Sequence, residues 1–314
     1  MWFSLRNLIF LSVFLLTTFQ SNSQYHSDPF NGDDSYGGSF KTVPELTQDS
    51  ILNNTYNRPE KWGFIKHVPD DIWQLAKSPF QKKNLVGLSV VAGSTALLIW
   101  QDQAILDGAL QFARNIHLSG ETVNEVPLKI KDARIIKIPQ NFNTFLYSLG
   151  EGGTSMYIAG GLYIYGRIKH DNRSLQAASD LAETFITMGT ATQIVKRSTG
   201  RQTPFKSTQP GGRWQPFPPF KEYQQNTPVY DAFPSGHLAT MVATVTVLSL
   251  HYPEKKWIKP IGYIVCALSS FAMMNTEVHW AGDYPLAFAL GYVSGKIIVN
   301  RHKPKPRLAH CLSD

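Results

Sequence analysis

The stretch Tyr230-Asp231-Ala232-Phe233-Pro234-Ser235-Gly236-His237-Leu238-Ala239-Thr240 places a histidine at the start of an apolar run of helix length. Proline, serine and glycine before such a run predict a turn followed by a helix N-terminus. Two other polar clusters, Lys196-Arg197-Ser198-Thr199-Gly200-Arg201-Gln202-Thr203-Pro204 and His279-Trp280-Ala281-Gly282-Asp283, also adjoin apolar runs. Helix ends can therefore bring two histidines, a carboxylate, a serine and several cations together.

This set of side chains suits phosphoryl transfer, which needs cations and N–H donors around the phosphoryl oxygens, a nucleophile in line, and an acid for the leaving oxygen. His279 is the candidate nucleophile, because Asp283 can hold one ring nitrogen and leave the other free to attack. His237 is the candidate general acid, since histidine titrates near neutral pH.

Four further residues are candidates for binding the phosphoryl oxygens. Ser235 and the N–H of Gly236 lie just before the predicted helix, whose N-terminus favours anions. Lys196 and Arg201 in the first cluster carry the positive charge that would neutralise a phosphate. No metal ligand is needed in this arrangement.

The three clusters resemble the pattern of the type 2 phosphatidic acid phosphatase superfamily, which also includes bacterial class A acid phosphatases and vanadium haloperoxidases. The family pattern is Lys, six residues, Arg-Pro; then Pro-Ser-Gly-His; then Ser-Arg, five residues, His, three residues, Asp. Residues 234–237 match the second block in full. Lys196 and Pro204 match the first block, and His279 and Asp283 match the third.

The chain departs from the family pattern at the phosphate-binding arginines. Thr203 stands at the arginine position of the first block, and Ala272 and Met273 occupy the Ser-Arg positions of the third. An arginine makes a charge-assisted, often bidentate contact with phosphate, which neither threonine nor methionine replaces. Four basic residues in or just after the first block are candidates to compensate: Arg197, Arg201, Lys206 and Arg213.

The resemblance implies a metal-independent phosphatase without a cofactor. Its substrate would be a lipid phosphate or pyrophosphate of the phospholipid, prenyl pyrophosphate or lipid A type, cleaved through a phosphohistidine at His279. Two alternatives remain open because of the replaced arginines. One is a lipid headgroup phosphotransferase, and the other is a catalytically impaired relative that binds lipid or phosphate. A haloperoxidase is disfavoured, since vanadate needs the same cationic cradle.

The resemblance extends over about Phe142 to Lys296 and implies an all-α helical bundle, in agreement with the helix-length apolar runs. We predict a secretory signal at residues 1–23, an exported N-terminal extension at 24–80, the phosphatase-like bundle at 81–300 and a basic tail at 301–314. Cys266 and Cys311 are the two cysteines of the sequence, so no disulfide framework is implied.

Helices are predicted from the apolar runs, and one connection is predicted to be functional. The region Glu121 to Asn141 is interpreted as irregular or briefly extended, without a sheet. Phe205 to Phe233 is a long loop rich in proline and aromatic residues, interpreted either as a lid over the site or as a surface loop. The predicted helices are Leu85–Trp100, Ala104–Ile116, Phe142–Tyr165, Ser174–Val195, Pro234–Tyr252, Trp257–Met274 and Gly282–Val299.

The formal net charge of +7 comes without a nucleic-acid motif, so an anionic lipid surface is the expected partner. Basic residues at 167–169, 255–259 and in the tail favour the cytoplasmic side, which leaves the three clusters on the exported face. We therefore predict an inner-membrane bundle with a periplasmic site. If the signal is cleaved and Leu85–Trp100 crosses the membrane fully, the next segment lies on the wrong side for this topology. There are three alternatives: Leu85–Trp100 is re-entrant or peripheral, the signal is retained, or the whole bundle is a soluble periplasmic enzyme.

Overall fold

The computed structural model describes residues 56–130 and 133–303, which all belong to one unit of contacts. The predicted signal at 1–23, residues 24–55 of the extension and residues 304–314 of the tail lie outside these ranges. Helices dominate the described residues, which confirms the predicted all-α class. In chain order the α-helices are α1 (Gly63–Lys66), α2 (Val68–Lys77), α3 (Leu85–Asn115), α4 (Phe142–Gly150), α5 (Gly152–Lys169), α6 (Asn172–Thr199), α7 (Phe220–Gln225), α8 (Gly236–His251), α9 (Ile258–Asn275) and α10 (Tyr284–His302).

Helix direction gathers the three polar clusters at one end of the bundle, which we call the site end. The first cluster follows α6, the second precedes α8, and the third lies between the end of α9 and the start of α10. The backbone N–H of Ser235 donates to Asp283 O at 3.0 Å. At the opposite or basal end, Arg173 Nε donates to His251 O at 2.7 Å.

Helix α3 continues through the polar residues that were predicted to end it. The expectation of two helices separated at 101–103 is wrong. The polar residue Asp102 is tolerated within the helix because it is fully buried in an ion pair with Arg201. Its carboxylate also accepts a hydrogen bond from the Gly282 N–H at 2.7 Å. Asp102 lies about 25 Å along α3 from Leu85. Since Asp71 before α3 pairs with Arg301 at the basal end, α3 runs from the basal end to the site end.

The predicted helix Phe142–Tyr165 is two helices, because the backbone of Glu151 is extended with φ −65° and ψ 141°. Glycine permits a close contact just before this break. A Cβ on Gly150 would lie 2.3 Å from Met273 Cε, so only glycine fits there without a shift. Gly160 and Gly161 face open space, and the predicted glycine packing is therefore confined to part of the segment.

The region 121–141 contains a hairpin, which corrects the interpretation that no sheet is present. Strand β1 (Asn124–Ile130) pairs antiparallel with β2 (Ala133–Pro139), with Asn124 opposite Pro139. The basic residues of this region, Lys129, Lys131, Arg134 and Lys137, do not follow a regular two-residue alternation, so the strands were not identified from the sequence.

Asp180 and Glu183 lie within α6, and both side chains are fully buried. Two helical segments, Lys82–Asn115 and Ile258–Asn275, are long and apolar enough to cross a membrane by length and composition. Large apolar side chains on these and the neighbouring helices are exposed, among them Leu85, Val86, Leu97, Trp100, Ile164, Ile168, Ile261, Ile264 and Leu268. An apolar exterior of this extent indicates an interaction surface.

Candidate active site

His279 is buried at the site end, with 2% of its surface exposed. Its Nδ1 lies 2.9 Å from Ala232 O and 3.3 Å from Asp283 Oδ2. A carbonyl oxygen can only accept, so Nδ1 must carry the proton of the neutral ring. The lone pair is therefore on Nε2, the nitrogen that a nucleophilic histidine needs free.

His237 contacts that free nitrogen directly. Its Nδ1 lies 3.2 Å from His279 Nε2, and the two rings meet edge to face with centroids 5.4 Å apart. His237 Nδ1 donates its hydrogen to the lone pair of His279 Nε2. In the neutral His237 ring, Nε2 is then the nitrogen that can accept a hydrogen bond. The hydroxyl of Tyr147 lies 3.4 Å from that Nε2.

Tyr147 was not identified from the sequence. It belongs to α4, and its ring lies 5.4 Å from the ring of His237. Burial raises the pKa of Tyr147 to about 12, with smaller contributions from the charges of Glu151 and Asp231. The phenol therefore stays protonated and can serve as an O–H donor to His237 or to a bound oxyanion.

Lys196 reaches the start of α8 from the end of α6. Its Nζ donates to Asp231 O at 2.5 Å and lies 3.3 Å from Asp231 Oδ2. It also lies 4.0 Å from the position that a Cβ would take on Gly236. The predicted neighbours Lys196 and Gly236 are thus brought together, and Asp231 is a second acidic residue of the site that the sequence analysis did not assign.

Ser235 is fully buried and caps α8, since its Oγ accepts a hydrogen bond from Leu238 N at 3.3 Å. Its hydroxyl hydrogen is not used in that contact. Capping by serine satisfies one of the unpaired N–H groups of the first helical turn. The role of Ser235 and Gly236 in binding phosphoryl oxygens remains a prediction.

Arg201 faces carboxylates rather than the histidine pair. Its Nη1 donates to Asp283 Oδ1 at 2.7 Å, and its Nη2 donates to Asp102 Oδ2 at 2.5 Å. The guanidinium is fully buried and lies over the rings of Trp214 and Trp280. These contacts do not support the prediction that Arg201 binds phosphate, because both terminal nitrogens are engaged elsewhere. They make Arg201 a residue that positions Asp283.

The charge state of Asp283 follows from this pairing. Burial opposes ionisation of the carboxyl, but the Arg201 guanidinium and the hydrogen bond from His279 outweigh it and hold the pKa of Asp283 below its ordinary value. The Trp280 N–H donates to the same carboxylate at 2.8 Å. Asp283 is therefore an anion that can orient His279 and stabilise positive charge on its ring.

The two residues that replace family arginines are both buried. Thr203 Oγ1 donates to Pro228 O at 2.9 Å, and Met273 belongs to the hydrophobic core beside Met241 and Leu238. Neither side chain supplies a charge to the site.

The long connection 205–233 contains the short helix α7 and two 3₁₀ turns. The Phe217 N–H donates to Arg197 O at 2.9 Å, and the Gln215 N–H donates to Gly200 O at 2.9 Å. Phe205, Phe217 and Phe220 are exposed. The connection therefore packs around the end of α6, and its function as a lid stays a prediction.

Comparisons with known proteins agree with the motif resemblance. Residues 177–307 match the PAP2 superfamily. A Lipid A 1-phosphatase from Porphyromonas gingivalis is 31% identical over 68 residues, which cover 21% of this chain and 15% of that protein. No solved structure matches the chain. Residues 177–307 contain all three polar clusters, so the match to the PAP2 superfamily covers the candidate active site.

Proposed function

We propose that the chain is a phosphatase that removes phosphate from a lipid phosphate or pyrophosphate through a phosphohistidine at His279. The observation that carries the proposal is the ring state of His279. Ala232 O and Asp283 hold Nδ1 in its protonated form, so Nε2 has the lone pair required for attack on phosphorus. The match of residues 177–307 to the PAP2 superfamily supports this class of reaction.

The reaction proceeds in two displacements. His279 Nε2 attacks phosphorus while the bond to the leaving oxygen breaks, and His237, protonated on both ring nitrogens in the substrate complex, donates a proton to that oxygen and becomes neutral. Water then attacks the phosphohistidine, His237 takes the proton of the water, and the P–N bond breaks. Inorganic phosphate and the original His279 are the products of the second step.

A phosphoryl group must enter between the two imidazoles, which touch in the described state. His279 is buried and held through Nδ1, whereas His237 is partly exposed. His237 is therefore the ring that turns aside when substrate binds. In the open position Lys196, Ser235 and the Gly236 N–H surround the phosphoryl oxygens, with the N-terminus of α8 favouring the anion.

Apolar surface next to the site favours a substrate with a hydrocarbon chain. Trp100 on α3 precedes the buried Asp102, and Phe142 and Phe145 lie on α4, the helix that carries Tyr147; all three side chains are exposed. The similarity to a Lipid A 1-phosphatase supports a lipid phosphate as the substrate. A phospholipid, a prenyl pyrophosphate and a lipid A type headgroup share the phosphate and apolar chain that this surface would recognise.

The proposed location is the inner membrane, with the site end on the periplasmic face. Basic residues at the ends of α5 and α10 and in the α8–α9 connection all lie at the basal end, as the positive-inside rule requires of the cytoplasmic side. A soluble periplasmic bundle is the alternative location.

A lipid headgroup phosphotransferase is the second candidate. The observation that favours it is the buried, uncharged state of Thr203 and Met273, which leaves fewer cations to stabilise the transition state of hydrolysis. Such an enzyme would transfer the phosphoryl group from His279 to a lipid hydroxyl instead of to water, so that the P–N bond breaks as the new O–P bond forms. The product is then a newly phosphorylated acceptor lipid and not free phosphate.

Purified protein in detergent should release phosphate from one or more of phosphatidic acid, undecaprenyl pyrophosphate, a lipid A type phosphate and a soluble monoester. Radiolabelled substrate should leave an acid-labile, alkali-stable label on the wild type and on His170→Asn, a control at an exposed histidine. His279→Gln should neither turn over nor become labelled. Continued turnover of His279→Gln would refute the proposed nucleophile. With an acceptor lipid present, label on that lipid in place of free phosphate would identify the transferase.

A further inference from the structure

A second group of titratable side chains lies at the basal end of the bundle, on residues that the proposed reaction does not use. One ligating atom from each of His67, Glu183 and His302 lies within 4.8 Å of the other two. The three residues come from the start of α2, the middle of α6 and the end of α10. This group is separated from Lys196 by about 20 Å along α6.

The hydrogen bonds of the group leave ligating atoms without partners. Glu183 is fully buried, and its Oε2 accepts no hydrogen bond among the described residues; the same holds for the buried Nδ1 of His67. His67 Nδ1 lies 3.7 Å from Glu183 Oε1. This distance is too long for a hydrogen bond, but it leaves space for an ion between the two groups.

A hydrogen bond to Asp180 orients the ring of His302. His302 Nδ1 lies 2.8 Å from Asp180 Oδ1, and Asp180 Oδ2 lies 2.8 Å from His251 Nε2. A carboxylate that holds one nitrogen of a histidine fixes the ring and leaves the lone pair on the other nitrogen, as is usual for histidine ligands of metals. His302 is thus prepared as a ligand by a residue outside the ligand set.

Buried carboxylates surround the group. Asp71, Asp180 and Glu183 are fully buried, and Arg301 pairs with Asp71 and Glu183. A buried carboxylate is costly unless it is paired or binds a metal, so a divalent cation bound here would stabilise the ionised form of these groups.

We propose that His67, Glu183 and His302 bind one Zn²⁺ that ties α2 to α6 and α10. Two imidazoles and a carboxylate match the ligands of zinc and not the oxygen ligands of Ca²⁺ or Mg²⁺. Ligands about 2.1 Å from one ion lie at most about 4.2 Å apart, so atoms that are 4.8 Å apart must approach each other by at least about 0.6 Å. The site is structural and stands independently of the proposed phosphatase reaction.

The test uses the full chain purified with a tag that contains no histidine. We expect about one Zn²⁺ per chain by elemental analysis, and calorimetric rebinding after removal with a chelator. His67→Gln and His302→Gln should each weaken rebinding at least tenfold, while His117→Asn, at an exposed histidine, should leave it unchanged. The thermal midpoint of the wild type should fall on metal removal and recover with Zn²⁺.

Two results would overturn the proposal. One is a folded wild type, verified by circular dichroism, that neither retains metal nor binds added Zn²⁺; protonated histidines would then balance the carboxylates. The other is unchanged Zn²⁺ affinity in both His67→Gln and His302→Gln. Because the measurements are metal content and affinity, neither result depends on whether the chain hydrolyses phosphate.

Discussion

At the scale of single residues, the hydroxyl of Tyr147 is a neutral donor that lies 3.4 Å from His237 Nε2. Tyr147→Phe keeps the ring beside His237 and removes only the O–H. We expect kcat for phosphate release to fall about 100- to 1,000-fold, the order of the loss of one hydrogen bond in the transition state. Tyr165→Phe, at an exposed tyrosine of α5, is the matched control. Equal rates for both variants would show that Tyr147 only packs against His237.

Arg201 gives a prediction that separates a positioning role from phosphate binding. Arg201→Met leaves the buried carboxylates of Asp102 and Asp283 without their cation. We expect the free energy of unfolding to fall by about 3–5 kcal/mol, as for other broken buried ion pairs. Arg197→Met, at a partly exposed arginine stacked on Tyr223, should cost less than that. A stable Arg201→Met protein with only a raised KM would instead favour direct phosphate binding.

The lowered pKa of Asp283 predicts how stability depends on pH. A carboxyl whose pKa is lower in the folded state stabilises the fold above its unfolded pKa of about 3.9, and this contribution is lost as pH falls through the folded value. The free energy of unfolding of the wild type should therefore decrease on acidification below about pH 4. Asp283→Asn, followed by chemical denaturation across the same range, should show a weaker decrease. An identical slope would contradict the assigned pairing.

The site residues that could be predicted lie in short stretches with fixed spacing. His279 and Asp283 are four positions apart, so their contact follows from local geometry. Asp102 and Tyr147 could not be found in this way, because their partners Arg201 and His237 lie 99 and 90 positions away. Arg201 was assigned to phosphate for the same reason: sequence shows a cation near the motif but not the two carboxylates that bind it.

At the scale of elements, α8 and α10 carry the site between them and meet at a glycine. A Cβ on Gly291 would lie 2.3 Å from Ala239 O and 3.0 Å from Ala243 N. Gly291→Ala must therefore push the two helices apart, and we expect a loss of about 1–3 kcal/mol in unfolding free energy. Gly160→Ala, which meets open space on α5, should be neutral or stabilising by up to about 1 kcal/mol. Similar thermal midpoints for the two variants would contradict this packing.

Local signals at the ends of the helices explain which elements were predicted well. Helices α6, α8, α9 and α10 follow from apolar runs whose ends are marked by caps and polar clusters. The continuity of α3 was missed, because the polar residues 101–103 were interpreted as a helix end. Only the structure shows that Asp102 is buried in an ion pair with Arg201. The hairpin was missed because its strands are short and basic, so that nothing local distinguishes them from a solvated loop.

At the scale of the whole bundle, its two ends differ in chemistry. The site end holds the histidine pair and the N-termini of α8 and α10, and the basal end holds the carboxylate–histidine group and the basic helix ends. Exposed apolar side chains occur on α3, α5 and α9, which link the two ends. A bundle with polar ends and an apolar exterior is the expected form of a membrane-spanning enzyme.

Cysteine labelling tests this arrangement against a soluble periplasmic bundle. In a chain with Cys266→Ala and Cys311→Ser, Gln209→Cys reports the site end and Lys255→Cys reports the basal end, since both positions are exposed. A maleimide that cannot cross membranes should label Gln209→Cys in cells with a permeable outer membrane and an intact inner membrane. It should label Lys255→Cys only after lysis, because the proposed topology places the basic end in the cytoplasm. Labelling of both in intact cells would place the whole bundle outside, and the reverse pattern would invert the proposed orientation.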